Sequence, residues 1–497
     1  MITNGKDIPD GTVIETQVCI VGSGPAGITA AWYLQKAGIK VTLIEGSRDF
    51  RDSYNIPQVS WPDKELLYNG TADGLFTANE PDFLIRPYAY NTSPSERERV
   101  FGGTSTHWGG QSRPLDPITF EKRAYFPGWP IDRQDLDPYY ERAAALCLLD
   151  PDFSSEHWAE VLDAEVPHLD GFDTEMYQFI GPNYKVFSTR PFEGPGGITI
   201  GESAADVILN ASLLEIRHAQ GVVDTLRVAS MDDRSKKATE FTIKAKIVVL
   251  ACGAVANAQQ MLLSNVGNEY DQVGRYFIGH PIAQYGNTIV TIDGTYLTPS
   301  EKRFMDGDTL AGSRSGGAWV GPSGETVEGR FSPSAEQQRA LGIGSCWFWA
   351  YNGQYYFELA PDPDSRVTLA GTLDPVFGQP QTRITWKLSD RDEETYNQTT
   401  RLFAEAVAKR HAKVTVASWD FLKSKLMVNG HHIGTTRMSE DPKQGVVDKN
   451  LKVHSLFNLY VAGSSVFPTA GISNPTFTII TLSIRLAEHL IETLAAQ

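Results

Sequence analysis

The sequence predicts an α/β protein: a doubly wound, parallel-sheet nucleotide domain, interrupted by an inserted domain that is mostly antiparallel. Three observations carry that expectation. A glycine-rich turn lies between two short apolar strands near the start, the texture changes between about residues 281 and 425, and the first texture returns at the end.

The opening unit runs from Thr16 to Glu45. Gln17-Val18-Cys19-Ile20-Val21 reads as a buried strand, Gly22-Ser23-Gly24-Pro25-Ala26-Gly27 as a turn, and Ile28 to Ala37 as a helix. Val41-Thr42-Leu43-Ile44 is the second strand, closed by Glu45. Gly22 permits the tight turn, Gly24 removes a side chain that would block a pyrophosphate, and Gly27 lets the helix pack on the strand. The helix N-terminus turns free N–H groups toward phosphates. Glu45 is placed to accept hydrogen bonds from a ribose. A glycine motif alone also marks ordinary turns. With both strands, the helix and the terminal acid, it points to a dinucleotide.

Further along, a polar stretch from about Arg48 to Arg99 reads as surface excursions, followed by Phe101-Gly102-Gly103-Thr104-Ser105-Thr106-His107-Trp108-Gly109-Gly110. Asp137-Pro138 gives a helix start with proline in its first turn. Val207 to Arg217 and Phe241 to Ala251 look like strands around a hairpin with a charged tip, and Ala251 leads into Cys252-Gly253-Ala254. From Pro281 to Lys425 polar and apolar residues alternate, as in Trp347 to Leu359 and Arg383 to Leu388, the pattern of an antiparallel sheet. Asn458 to Gly463 is again a strand into a glycine turn, and Thr476 to Ala495 a long helix. The expected division is 1–130, 186–285 and 432–497 for the nucleotide domain, and 131–185 and 286–431 for the substrate-binding domain.

Length and composition set the outer bounds. With 497 residues and 41% hydrophobics, the chain reads as a globular protein of two or three interleaved domains. Its net charge of −16, from 44 basic and 60 acidic residues with no basic block, argues against nucleic acid and against docking on an anionic membrane. No window reaches the ~18 apolar residues of a membrane helix. The four cysteines form no CxxC, which excludes a local redox dithiol and suits a reducing compartment, so a soluble, cytoplasmic protein is expected.

Two C-terminal stretches have the makings of alcohol oxidation. Gly430-His431-His432-Ile433-Gly434-Thr435 offers histidines on a turn, and Ser473-Asn474-Pro475-Thr476 an amide just before a helix. A histidine is suited to take a hydroxyl proton, and an amide can donate to the oxygen as charge develops. Asn474 reads equally well as a helix cap. No acidic or cysteine cluster completes a metal site beside the histidines, so no metal is expected.

The chain resembles the glucose–methanol–choline (GMC) family of FAD-dependent oxidoreductases. The likeness is carried in order by Gly22 to Gly27, Gly102 to Trp108, Ala251 to Ala254, Val273 to Pro281, His431 to Met438 and Asn458 to Thr478, and it is greatest to the pyranose-oxidase, glycoside-3-oxidase and polyol-dehydrogenase branch. The resemblance implies a discontinuous Rossmann-like FAD-binding domain and a substrate domain whose antiparallel sheet is backed by helices. It implies FAD contacts at Gly22, Gly24, Pro25, Ala26, Gly27, Glu45, Gly103, Thr104, Ser105, His107, Trp108, Val207, Ala251, Gly463, Ser464, Asn474, Pro475 and Thr476. Gly463-Ser464 departs from the acid many relatives carry there. The family pattern His-x-x-Gly-[Thr/Gly] puts the base on His431, with His432 as the one-residue slip, and Asn474 as its partner. His107 either carries the flavin covalently or packs against it, with non-covalent binding favoured.

The implied activity is oxidation of a sugar or glycoside hydroxyl, with dioxygen or another electron acceptor reoxidising the flavin. The alternative is a primary alcohol on an aminoglycoside or polyol; a non-catalytic flavoprotein subunit ranks below both. The aromatics Trp347, Phe348, Trp349, Tyr351, Tyr355 and Tyr356 are expected in one strand region, with alternate rings offering faces to a sugar.

Overall fold

The computed structural model describes residues 2–47, 101–106, 108–180, 206–232, 236–283, 289–306, 319–320, 326–348, 355–428 and 430–496. Among them, His107, Trp349 and Tyr351 do not fall, so the readings placed on those residues lie outside the described structure.

Strand Val13–Val21 starts exposed and ends fully buried, because its apolar half enters the middle of an eight-stranded sheet. There it pairs in parallel with Val41–Ile44 on one side and Lys237–Leu250 on the other. Beyond Val41–Ile44 come Asp206–Leu209 and Ile2–Asn4, also parallel. Leu459–Val461 adds a further parallel strand beside Lys237–Leu250. The remaining strands, Val222–Met231 and Ser212–Ala219, form an antiparallel meander on Lys237–Leu250. The segment read as one strand from Val207 to Arg217 is two, broken where Asn210 takes a left-handed conformation, φ 52°.

A second eight-stranded sheet is antiparallel throughout. Its order is Leu426–Val428, Pro281–Ala283, Tyr355–Phe357, Cys346–Phe348, Thr326–Pro333, Phe172–Phe179 and Gln111–Ser112, with Trp319–Val320 on the Thr326–Pro333 strand. Its two faces differ because side chains alternate along each strand. Phe331, Phe348, Tyr355 and Phe357 are buried in the core. Behind them lies helix Asp390–Ala408, whose Phe403 stacks on Phe348 at 4.2 Å and 7°, a contact worth about 1 kcal/mol beyond burial. The opposite face carries Tyr177, Trp347 and Tyr356, which form a separate cluster with Ile472.

The expected division at residue 130 is crossed in both directions. Gln111–Ser112, assigned to the nucleotide domain, is an edge strand of the antiparallel sheet. Helix Asp137–Cys147, assigned to the substrate domain, packs on the C-terminal helix Pro475–Ala495, with the Tyr140 hydroxyl 2.8 Å from Thr478 Oγ1. The Pro281–Ala283 strand, placed with the nucleotide domain, likewise belongs to the antiparallel sheet. Short-range texture reports strand type, whereas the layer an element joins is set by long-range packing.

Candidate active site

The glycine turn is built as its spacing requires, and its glycines fall into two kinds. A Cβ on Gly27 would lie 2.0 Å from the Gly22 carbonyl oxygen, and one on Gly22 2.6 Å from that of Ala251. These two glycines serve the packing of helix Pro25–Lys36 against the strands. Gly24 differs. Its backbone is extended (φ −68°, ψ 179°), which any residue adopts, and a Cβ there would meet nothing within 4 Å. Glycine at such a position keeps space open at a helix N-terminus, where Pro25 occupies the first turn. Gly463, at φ 106°, opens a similar space after the Leu459–Val461 strand.

Around the turn, Gly103 approaches closely enough that its Cβ would sit 3.2 Å from Gly24 Cα, and Gly102 N donates to the Ser23 carbonyl at 3.0 Å. Ser105 Oγ closes this 3-10 turn onto Gly102 O at 2.7 Å, with Thr104 inside it and Trp108 packed against the core just beyond. Glu45 is buried at the end of its strand. Its Oε2 accepts from Ser23 N and Oγ at 3.1 and 2.5 Å, and its Oε1 from Ser47 N at 2.9 Å. The carboxylate therefore braces the turn, leaving one of about four acceptor positions for a ribose hydroxyl. Val207 pairs with Leu43 next to it, and Ala251 N donates to Val21 O at 2.8 Å beside the turn. Ser464 donates through Oγ to the His432 carbonyl at 2.6 Å, tying the second glycine turn to the histidine segment. These open glycine positions and helix ends fit a dinucleotide such as FAD.

The catalytic candidates converge on one point. Asn474 is the N-cap residue of helix Pro475–Ala495, yet its side chain makes no capping bond. Instead Asn474 Nδ2 lies 3.2 Å from His431 Nε2. His432 faces elsewhere, its ring 5.3 Å from Phe277. His431 has a partner that the sequence reading did not assign: His280, whose Nδ1 lies 2.9 Å from His431 Nδ1. The mutual bonds of Ile278 and Ile433, at 2.9 and 2.8 Å, form an antiparallel bridge that brings His280 opposite His431 two residues on. The signal available in the sequence was Gly279-His280-Pro281, whose proline begins a strand.

The protonation pattern follows from the far end of this chain. His280 Nε2 is 2.9 Å from the Gly471 carbonyl oxygen, which only accepts, so Nε2 carries the proton and Nδ1 holds the lone pair. His431 Nδ1 then donates to it, which leaves His431 Nε2 as a bare lone pair beside the Asn474 amide. Burial, reinforced by His280 and His432, holds the His431 imidazolium well below the usual histidine range. Burial likewise lowers His280 to about 4. Gly471 is itself held: its N–H donates to buried Glu358 at 2.7 Å, and at φ 58° a Cβ would strike Leu115 at 2.8 Å.

Above this point, side chains from neighbouring strands stack in a row. Trp347 lies parallel to Tyr356 at 4.1 Å and 17°, while the Arg330 guanidinium covers it at 3.9 Å and Tyr177 at 4.7 Å. The strand order places Tyr356 and Arg330 on opposite sides of Trp347. Both faces of that indole are therefore covered, which corrects the expectation that it offers a platform to a sugar. The described part of the aromatic region is two paired strands, with Trp347 opposite Tyr356.

No group of three or more histidine, cysteine or acidic side chains suited to a metal occurs among the described residues. No helix among them is long and apolar enough to cross a membrane. All four cysteines are free thiols.

Two open glycine turns and a half-buried histidine–amide pair are parts that a flavin-dependent oxidoreductase acting on CH–OH donors requires. Residues 361–483 match the GMC oxidoreductase model and residues 15–53 an FAD binding domain. The chain thus carries a GMC oxidoreductase C-terminal domain and an FAD-binding domain, and it binds FAD. It is 23% identical to 2-methyl-1,2-propanediol dehydrogenase of Mycolicibacterium austroafricanum over 96% of this chain and 95% of that protein. It is 25% identical to 6'''-hydroxyparomomycin C oxidase of Streptomyces lividus, over 96% of this chain and 92% of that one. A C-glycoside 3-oxidase of Arthrobacter globiformis is 26% identical over 54% of this chain and 50% of its own. Among solved structures, formate oxidase shares the fold with a TM-score of 0.59 and 17% identity, over 98% of this chain and 99% of that one.

Proposed function

We propose that the protein oxidises a hydroxyl of a sugar or glycoside, a secondary ring hydroxyl, to a carbonyl, with His431 as the base. The observation that carries this reading is His431 Nε2 lying 3.2 Å from Asn474 Nδ2 while its Nδ1 lies 2.9 Å from His280 Nδ1, an arrangement that assigns a lone pair to Nε2. The glycine turns at Gly22 to Gly27 and at Gly463 would hold FAD, which when bound would supply the hydride acceptor, with dioxygen or another acceptor taking up the electrons. A substrate hydroxyl entering between His431 Nε2 and Asn474 Nδ2 donates to the first and accepts from the second. As hydride leaves the carbinol carbon, its hydroxyl proton passes to Nε2, and the Asn474 amide stabilises the charge on oxygen. The His431 Nδ1–H bond to His280 strengthens as the imidazolium forms.

A ring hydroxyl is favoured by the similarity to C-glycoside 3-oxidase, and the similarity to 6'''-hydroxyparomomycin C oxidase keeps a primary alcohol as the second reading. Product identity separates them. Anaerobic bleaching across sugars, glycosides, aminoglycosides and polyols finds the best donor, and a ketone product is expected from it. An aldehyde or carboxylate as main product would move the assignment to the primary alcohol. The free thiols accord with a reducing, cytoplasmic setting.

Asn474→Ala is expected to slow flavin reduction by about 10²–10³-fold, the scale of one lost oxyanion donor. The pH dependence has a definite sign. A base must be unprotonated, and burial lowers the His431 pKa below its ordinary 6.5. The rate of flavin reduction should be constant from pH 6.5 upward and decline only in more acidic buffer. A profile that rises through pH 7 to 8 would count against His431 in this setting.

A further inference from the structure

The amide of Asn474 can serve the base only one way round, and the ring environment of His431 does not by itself turn it. Its oxygen is held from the other side. Hydrogen-bond complementarity assigns the orientation of Gln111: its nitrogen lies 2.9 Å from Asn474 Oδ1, to which it donates, and 3.2 Å from Asn474 Nδ2, while its oxygen accepts from the Arg330 guanidinium at 2.5 and 2.7 Å. Arg330 is fully buried, clamped between the rings of Tyr177 and Trp347 and in contact with Glu328. Burial lowers it to about 10, so it remains a cation and a pure donor at neutral pH.

We propose that Gln111 and Arg330 are positioning residues that set the polarity of the catalytic pair. This rests on the reading of His431 and Asn474 given above. Arg330, which can only donate, stands at one end of a hydrogen-bond chain, and the Gly471 carbonyl, which can only accept, at the other. Between them every link points the same way: Arg330 to Gln111, Gln111 to Asn474, Asn474 to His431, His431 to His280, and His280 to Gly471. The two ends agree on a single state, with His431 Nε2 unprotonated. Neutral reversal at any link would set two acceptors or two donors against each other and leave buried polar groups unmet.

The isosteric change Gln111→Glu tests this, because it keeps the shape and the Arg330 partner but removes the donor. Asn474 is then expected to turn its nitrogen to residue 111 and its oxygen to His431 Nε2, which takes a proton to meet it; an Asn474 that stays in place and donates one N–H to each neighbour leaves His431 unchanged and counts against the proposal. In the FAD-loaded protein labelled with ¹⁵N-histidine, wild type is expected to show His431 protonated at Nδ1 only and His280 at Nε2 only. Gln111→Glu should add the Nε2 proton on His431, with resonances assigned by their loss in His431→Ala and His280→Ala. Flavin reduction by the best alcohol of the panel should fall about a hundredfold or more, the scale of a disabled base. Gln111→Met, which removes both donor and acceptor, should reduce the rate about tenfold or less. An unchanged His431 protonation pattern in Gln111→Glu, or a rate no lower than that of Gln111→Met, overturns the proposal. Normal flavin reduction in His431→Ala would instead overturn the reading beneath it.

Discussion

His431→Ala is expected to leave FAD bound and to slow anaerobic flavin reduction by about 10²–10⁴-fold, the range for a lost general base. The size follows from the geometry. His431 Nε2 is the lone pair opposite the Asn474 amide, and His432, facing Phe277, stands away from that point. His432→Ala should therefore retain most of the rate. Stopped-flow bleaching of the flavin with the best donor measures both variants in one series. The reverse order of severity would move the base by one residue and preserve the mechanism. Two mild variants would remove it.

A second large effect separates two glycines three residues apart. Gly24→Val should fold and yet be colourless, because its backbone is extended and its side chain would project into open space kept for the pyrophosphate. Gly27→Val should fail to fold, since even a Cβ would meet the Gly22 carbonyl oxygen at 2.0 Å. Purification under identical conditions, with circular dichroism and flavin absorbance, reads both outcomes. Yellow Gly24→Val protein with a full complement of FAD would contradict the cofactor placement. Well-folded Gly27→Val would contradict the packing.

The nucleotide turn was legible because it is local. Its function depends on spacings within one βαβ unit, so Gly22, Gly24, Gly27 and Glu45 could be assigned tasks without knowing the rest of the chain. Glu45 shows the limit even there, for its carboxylate also braces Ser23. The segment after residue 281 could be recognised as antiparallel from its alternation, but alternation does not say which face meets the helix and which meets the site. Trp347 and Phe348 are adjacent in sequence, yet one lies between Arg330 and Tyr356 and the other stacks on Phe403.

What the sequence determined by itself was therefore the pieces whose physics is short-range: the strand–turn–helix that receives a dinucleotide, the strand types, and a histidine and an amide of the right chemistry. Only the tertiary structure shows which nitrogen of which histidine faces the Asn474 amide, the nitrogen proposed here as the base. That depends on His280, 151 residues away from His431 in the chain, and on Gly471, 191 residues from His280. A histidine's tautomer is set by the bond its other nitrogen makes. Here that bond comes from a cross-strand register at Ile278 and Ile433, which no local pattern encodes.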